Sequence, residues 1–395
     1  MSWAWTPLSD VARLESGHTP SRRIDAYWEG GEVPWLSLKD IRGLSSKYVT
    51  ETVDHPTMLG IANSSARLLP KGTVALCRTA SVGNVAILGK EMATSQDFVN
   101  WVCGEQLLPE YLYWAFKGSE ATFSLEKQGS THQTIYMPTV ARFHILLPPL
   151  PEQRRIAEVL DRAEALRAKR RAALAQLDDL TQAIFLDLFG DPATNPKGWP
   201  RTSLGELIAT GPQNGLYKPA SDYGSGTPIL RIDAFYDGEV TKLTTLKRVR
   251  VSDEERDLYG LRVGDIVVNR VNSMEYLGKS ALIPDLDEPT VFESNVMRFD
   301  VALKTVQPSY VVQFLQSKFI KKQILTAAKN AVNQSSINQQ DVKGFQVNVP
   351  PLSLQRDFAR RIAAVEKLKA AHRASLAELD ALFSALQHRA FRGEL

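Results

Sequence analysis

Cysteine is nearly absent from this 395-residue sequence: Cys77 and Cys103 are the only two. Two thiols cannot build a disulfide framework, nor a four-ligand zinc site without many other ligands. The six histidines, His18, His55, His132, His144, His372 and His388, are scattered without ligand spacing. No apolar run approaches the roughly 18–20 residues needed to cross a bilayer. The opening Met1-Ser2-Trp3-Ala4-Trp5 lacks the basic start and apolar core of a secretory signal, so a cytoplasmic protein with no membrane role is expected. An excess of either charge is missing too. Segments 1–150, 151–190, 191–350 and 351–395 carry −1, 0, +1 and +3, for a total of +3. Bulk charge therefore does not announce a nucleic-acid binder. DNA contact would need local basic patches or a basic partner.

Catalytic motifs are also missing. There is no G-x-x-x-x-G-K-[ST] phosphate loop, G-x-S-x-G elbow or H-E-x-x-H helix. Gly224-Ser225-Gly226 is a fragment of a dinucleotide motif placed before a short strand, where a turn is the simpler reading. His144 lies in the apolar run 143–147 and Cys77 follows another, as core or edge residues do. No catalytic residue, cofactor or metal ligand is expected in this chain. What is present is core material: 44% of the residues are hydrophobic, enough for two or three domains.

The sequence repeats itself. Pro148-Pro149-Leu150-Pro151-Glu152-Gln153-Arg154 returns 202 residues later as Pro350-Pro351-Leu352-Ser353-Leu354-Gln355-Arg356. The segments that follow keep this offset without a gap. A mostly apolar stripe runs through Ile156, Leu160, Ala163, Leu166, Arg170, Ala173, Leu177, Leu180, Ile184 and Leu188, and the same slots hold Phe358, Ile362, Val365, Leu368, His372, Ser375, Leu379, Leu382, Leu386 and Ala390. Its mean step of about 3.6 predicts helices over 152–189 and 354–391, each about 57 Å long. Gly190 and Pro192 stop the first, and Gly393 follows the second. Such helices outrun any one small domain, so each needs a partner, and the sibling is the obvious one.

The repeat extends upstream. Residues 129–135 precede residues 331–337 by the same 202, and Lys71-Gly72-Thr73-Val74-Ala75-Leu76-Cys77-Arg78 matches Val263-Gly264-Asp265-Ile266-Val267-Val268-Asn269-Arg270 at an offset of 192. Runs 82–88, 265–268 and 281–283 read as strands. Segments 109–116 and 308–327 read as helices. In each half, an arginine ends a strand and opens a polar loop: Arg78-Thr79-Ala80-Ser81 in the first, Asn269-Arg270-Val271-Asn272 in the second. A second polar run closes each globular part. Arginine suits guanine edges, and asparagine or glutamine suits adenine edges. The candidate DNA contacts are therefore Arg78, Thr79, Ser81, Gln128, Ser130, Thr131, His132 and Gln133 in the first half. In the second they are Asn269, Arg270, Asn272, Asn333, Gln334 and Ser335. Lys39 and Arg231 complete the set. Ordinary turns use the same residue types.

The proline motif, the long helix after it and the ending Gln387-His388-Arg389-Ala390-Phe391-Arg392-Gly393-Glu394-Leu395 resemble the specificity subunit of Type I restriction–modification systems. The likeness covers essentially the whole chain. In the second copy Ser353-Leu354 replaces Pro151-Glu152, while Gln355-Arg356 is retained. The resemblance implies an α+β protein, a pseudo-twofold tandem repeat of two mixed α/β target-recognition domains (1–150 and 191–350). A central spacer helix (151–190) and a C-terminal one (351–395) would join them as an antiparallel pair. It implies a non-catalytic reader of double-stranded DNA, each domain taking half of a bipartite, asymmetric target. The helices would set the spacer and dock two modification (methyltransferase) subunits. S-adenosylmethionine would bind that partner, and ATP and Mg the separate restriction subunits. A methyltransferase would carry an Asn/Asp-Pro-Pro-Tyr/Phe motif, and Pro148-Pro149 is followed by Leu150 instead. A coiled-coil scaffold without DNA specificity remains the alternative, and it gives no reason for two globular repeats.

Overall fold

Val74-Ala75-Leu76-Cys77 is apolar without alternation, and such a strand must bury both faces. The computed structural model describes residues 3–44, 46–118, 134–241, 243–330 and 334–395. It comprises two units, Met1–Ala172 with Arg373–Leu395, and Ala173–His372, so each long helix contributes half its length to each.

In the first unit, Val74–Cys77 lies at the centre of a five-stranded sheet. The order is Ala12–Ser16, Phe98–Cys103, Val74–Cys77, Val85–Leu88, Tyr48–Val49, antiparallel except for the last pair. Val74 and Leu76 face a core with Tyr111, Leu112, Ile156 and Leu160, to which the C-terminal helix adds Phe383 and Ala390. Ala75 and Cys77 point the other way, onto Leu36, Ile41 and Phe98. Ala4–Pro7 pairs with His144–Leu147, which leads into the central helix, Leu150–Phe189.

The second unit repeats this plan. Ile208–Asn214, Val296–Val301, Ile266–Asn269 and Ser280–Leu282 form an antiparallel sheet in that order. Ile266 and Val268 face Phe185, Phe189, Tyr310, Phe314 and Phe358, while Val267 packs on Phe235 and Phe292. Arg201–Ser203 pairs with Gln346–Asn348 ahead of the C-terminal helix, Leu352–Ala390. The helix expected over 308–327 is two helices, Pro308–Leu315 and Lys318–Ala327. Ser317 caps the second by accepting from the Ile320 amide, 3.3 Å, a local bond that ends one helix and starts the next.

Within each unit the helix halves run antiparallel. Arg167 Nε meets Asp380 Oδ1 at 2.6 Å in the first, and Lys369 Nζ meets Asp178 Oδ1 at 2.8 Å in the second. The expected seam is corrected here. Leu166, Leu180, Leu368 and Leu382 are 51%, 43%, 53% and 52% exposed. Arg167, Thr181, Lys369 and Phe383, one residue further on, are turned inward instead. The covered positions step Ile156, Leu160, Ala163, Arg167, Arg170, Leu174, Leu177, Thr181, alternating four and three. That is a period of 3.5, the spacing of helices that wind around each other, and a 3.6 stripe drifts off it by about 20° per heptad.

The retained glutamine of the proline motif explains itself here. Gln153 is fully buried. Its Oε1 accepts from the Leu108 amide at 2.8 Å, and its Nε2 donates to the carbonyls of Gln106 and Pro148, both at 2.8 Å. Gln355 does the same: Oε1 accepts from the Gln307 amide at 2.9 Å, and Nε2 donates to Thr305 and Pro350 carbonyls at 3.4 and 2.8 Å. Pro151 and Glu152 take no part in this joint, so their replacement in the second copy leaves it intact. Gln355→Leu keeps the bulk but orphans buried backbone groups at about 1–3 kcal/mol each. It is expected to lower unfolding stability by about 3 kcal/mol in denaturant titration, with Gln153→Leu matching it.

Candidate nucleic-acid interface

The two strand-end arginines occupy the same backbone frame. The Arg78 amide donates to Asp97 O at 2.8 Å, and its carbonyl accepts from the Ile135 amide at 2.9 Å. The Arg270 amide donates to Asn295 O at 2.9 Å, and its carbonyl accepts from the Ile337 amide at 3.0 Å. Thr79 bridges Thr134 as Val271 pairs with Ser336. The described end of each second polar run, Thr134 in the first half and Ser335-Ser336 in the second, therefore lies antiparallel to the arginine loop. This contact is what local sequence could not supply.

Around Arg78 the loop is ordered by one carboxylate. Asp97 Oδ1 accepts from the Thr79 hydroxyl and Oδ2 from Ser95 Oγ at 2.9 Å, while Arg78 Nε donates to Gln96 O at 3.2 Å. Ala80 adopts φ 51°, a left-handed turn position. Ser81 Oγ accepts from Arg42 Nε at 3.2 Å, which sets the short helix Leu38–Ile41 beside the loop. Lys39, on that helix, meets Asp54 Oδ2 at 3.1 Å, and Arg22 reaches the same oxygen at 2.7 Å. Burial raises the Asp54 carboxyl, but these two cations outweigh it and hold it below the ordinary range. Arg22 stacks 3.4 Å from the Trp28 ring. Neither Arg22 nor Arg42 was marked by spacing; only their long-range partners single them out. Burial pushes the Cys77 thiol up to about 11, so it is a core group and not a reactive one.

In the second unit, Arg270 Nη1 donates to Ser294 O at 3.1 Å. Asn269 is fully buried, and its Oδ1 accepts from the Val271 amide at 3.2 Å. It therefore shapes the loop and does not present an edge to a ligand. Asn272 and Ser335 face each other in register on Val271–Asn272 and Ser335–Ser336, with Gln334 exposed beside them. Arg231 Nε lies 3.2 Å from Glu293 Oε2, on the residue before Ser294, whose carbonyl Arg270 binds. The loop after Arg270 is held by Lys321, whose Nζ donates to the carbonyls of Met274, Glu275 and Leu277 at 2.8, 2.8 and 3.3 Å. Tyr276, 41% exposed, and Lys279, 3.6 Å from the Tyr236 ring, project from the same loop and were not anticipated. Gln128, Ser130, Thr131, His132, Gln133 and Asn333 lie outside the described residues. Among the described residues no His, Cys, Asp and Glu cluster could hold a metal ion, and no helix is long and apolar enough to cross a membrane.

Arg78→Ala is expected to weaken one half of a two-part DNA site and Arg270→Ala the other, each by about 1–3 kcal/mol in a binding titration. Equal loss on every sequence would make that arginine a phosphate contact.

A family model described as the Type I restriction modification DNA specificity domain matches residues 2–176 and again 196–381. The Type I restriction enzyme EcoKI specificity subunit of Escherichia coli is 26% identical, the alignment covering 100% of this chain and 89% of that protein. The MjaIX specificity subunit of Methanocaldococcus jannaschii is 29% identical over 54% of this chain, which spans only 55% of that relative's length. Among solved structures, the Type I restriction–modification S subunit of M. genitalium superposes with a TM-score of 0.58 at 13% identity, over 99% of this chain and 96% of that one. A chain from a structure of type I restriction–modification complex assembly gives 0.56 at 21%, over 100% and 98%. These two likenesses concern the fold.

Proposed function

The chain belongs to the Type I restriction modification DNA specificity family, and from that premise we propose that it selects the DNA target of a restriction–modification complex. Double-stranded DNA is its ligand. Region 1–150 reads one half of a bipartite, asymmetric target, and region 191–350 reads the other. The observation that carries this reading is the duplicated arginine frame: the same backbone bonds at Arg78 and Arg270, surrounded by different side chains. A common frame with divergent loops suits two readers of unlike half-sites. A scaffold has no use for it.

The helices set the spacer and dock the partners. Leu166 and Leu382 flank the Arg167–Asp380 pair, and Leu180 and Leu368 flank the Asp178–Lys369 pair, all four well exposed. Leu166 and Leu180 stand 202 residues before Leu368 and Leu382, so one apolar face is offered twice. That supports two copies of a single partner, the modification subunit, contributing an apolar helical face. S-adenosylmethionine binds on that subunit, and ATP and Mg on restriction subunits that complete the complex in the cytoplasm. The near-neutral charge of the chain fits this division, because phosphate contacts can come from the partners.

Mapping methylated adenines in cells that co-express this chain with its modification subunit tests the reading. Exchanging residues 191–350 for those of a relative is expected to change one half of the methylated sequence and leave the other. A change in both halves, or no sequence preference at all, counts against it. In native mass spectrometry the wild-type complex is expected to hold two modification subunits, and the double variant Leu166→Glu, Leu382→Glu only one.

A further inference from the structure

Lys369 is 4% exposed, while Leu368 beside it is 53% exposed. Its ammonium sits among three carboxylates from three elements. Nζ meets Asp178 of the central helix at 2.8 Å, Glu366 of its own helix at 2.8 Å, and Glu239 of a recognition-region hairpin at 3.1 Å. Burial alone would lower the lysine's proton affinity, yet the three carboxylates hold it above an ordinary lysine. Burial and the neighbouring Glu239 push the Glu366 carboxyl up.

Two of these three partners belong to the repeat. Arg167, Glu164 and Asp380 are the counterparts of Lys369, Glu366 and Asp178 at the 202-residue offset, and Arg167 binds both its carboxylates. This pairing locks helix to helix, as polar groups in a seam do. Glu239 is an addition. It opens the second strand of the hairpin Phe235–Tyr236/Glu239–Val240, whose two central residues, Asp237 and Gly238, have φ of 49° and 87°. Positive φ at both is the geometry of a tight type I′ turn, which leaves Glu239 little freedom. The Gly238 carbonyl accepts from the Leu282 amide at 3.0 Å, and Leu282 lies opposite Ile266 in the main sheet. The strand Ile266–Asn269 ends at Arg270. A short covalent and hydrogen-bonded path thus runs from Lys369 to the reading loop.

We propose that Lys369 is a positioning residue: by gripping Glu239 and Asp178 together it fixes the setting of the second recognition region on the helix pair, and so restricts the spacer length the complex accepts. The inference rests on the DNA-reading function proposed above. The proline joint at Pro350-Pro351 and the core on Phe185, Phe189 and Phe358 hold that region at one end of the helix pair, and a hold at one end leaves a swing. The Lys369–Glu239 contact is a second point. One base pair of DNA is about 3.4 Å of rise, so a swing of a few ångströms is enough to admit a neighbouring spacer.

The test uses the complex with its modification subunit, carrying wild-type chain, Lys369→Met, Lys369→Arg or Glu239→Gln. Methylated adenines are mapped, and amide hydrogen exchange is followed across residues 235–240. Wild type is expected to methylate one spacer length. Lys369→Met is expected to keep both half-sites and to methylate spacers one base pair longer or shorter at a tenth or more of the main rate, with hairpin exchange at least tenfold faster. Lys369→Arg restores the single spacer, since Arg167 fills the equivalent slot. Glu239→Gln, which leaves the helix-to-helix pair intact, loosens the spacer without dissociating the complex and serves if Lys369→Met does not fold. A single spacer and unchanged hairpin exchange in Lys369→Met or Glu239→Gln overturns the proposal. If the wild-type complex shows no bipartite pattern, the function reading fails, and hairpin exchange alone then decides the clamp: unchanged protection refutes it.

Discussion

Everything downstream in each unit depends on one buried side chain, the glutamine in the first turn of each long helix. A reading surface at the end of a helix is only as well placed as the joint between them. Gln153 and Gln355 make that joint from three hydrogen bonds apiece, two to the segment before the helix Pro109–Gly118 or Pro308–Leu315 and one to the proline turn itself. No solvent reaches these atoms, so no water can substitute for a lost bond. A second tie reinforces it: Tyr111 Oη donates to Leu146 O and Tyr310 Oη to Asn348 O, both at 2.7 Å.

Upon this shared joint the two units diverge. The frame around Arg78 and Arg270 is common, but the first loop is ordered by Asp97 and the second by Lys321 and the buried Asn269. Attachment to the helices differs as well. In the first unit Lys47 of the recognition region reaches Asp161 of the helix at 2.5 Å, with Trp114 Nε1 on the same carboxylate at 3.0 Å. In the second, the position equivalent to Asp161 is Ala363, and the helix offers Lys369 to Glu239. The polarity of the bridge is reversed. A duplicated scaffold can carry unlike readers in this way, because the groups that hold the frame are separate from those that line it.

The charge balance has a structural counterpart. Many cations of this near-neutral chain are already committed inside it: Arg167 to Asp380 and Glu164, Arg231 to Glu293, Lys369 to three carboxylates. Pairs that are half-buried are screened less by salt than surface ones. Their value here is geometric, since an ion pair in a helix seam specifies register even where it adds little stability.

How much of this was legible beforehand follows from range. The repeat, the proline joints, the helix ends and the two strand-end arginines were determined by the sequence itself, because each is a local pattern: a periodic stripe, a turn residue, a motif returning at a fixed offset. Gly190, with φ 78°, ends the central helix where a glycine was expected to. The face of the helices was not determined that way. Counting leucines at 3.6 selected Leu166 and Leu368, whereas winding at 3.5 turns Arg167 and Lys369 inward beside partners 213 and 191 residues away. Asn269 looked like a reader and is a buried brace, since only its neighbours decide where a carboxamide points. Arg231 pairs with Glu293, 62 residues on, a partner that no local pattern marks. Local chemistry fixes which residue types stand at a position, but the free energy of burying or pairing a charge belongs to groups that only the folded chain brings together.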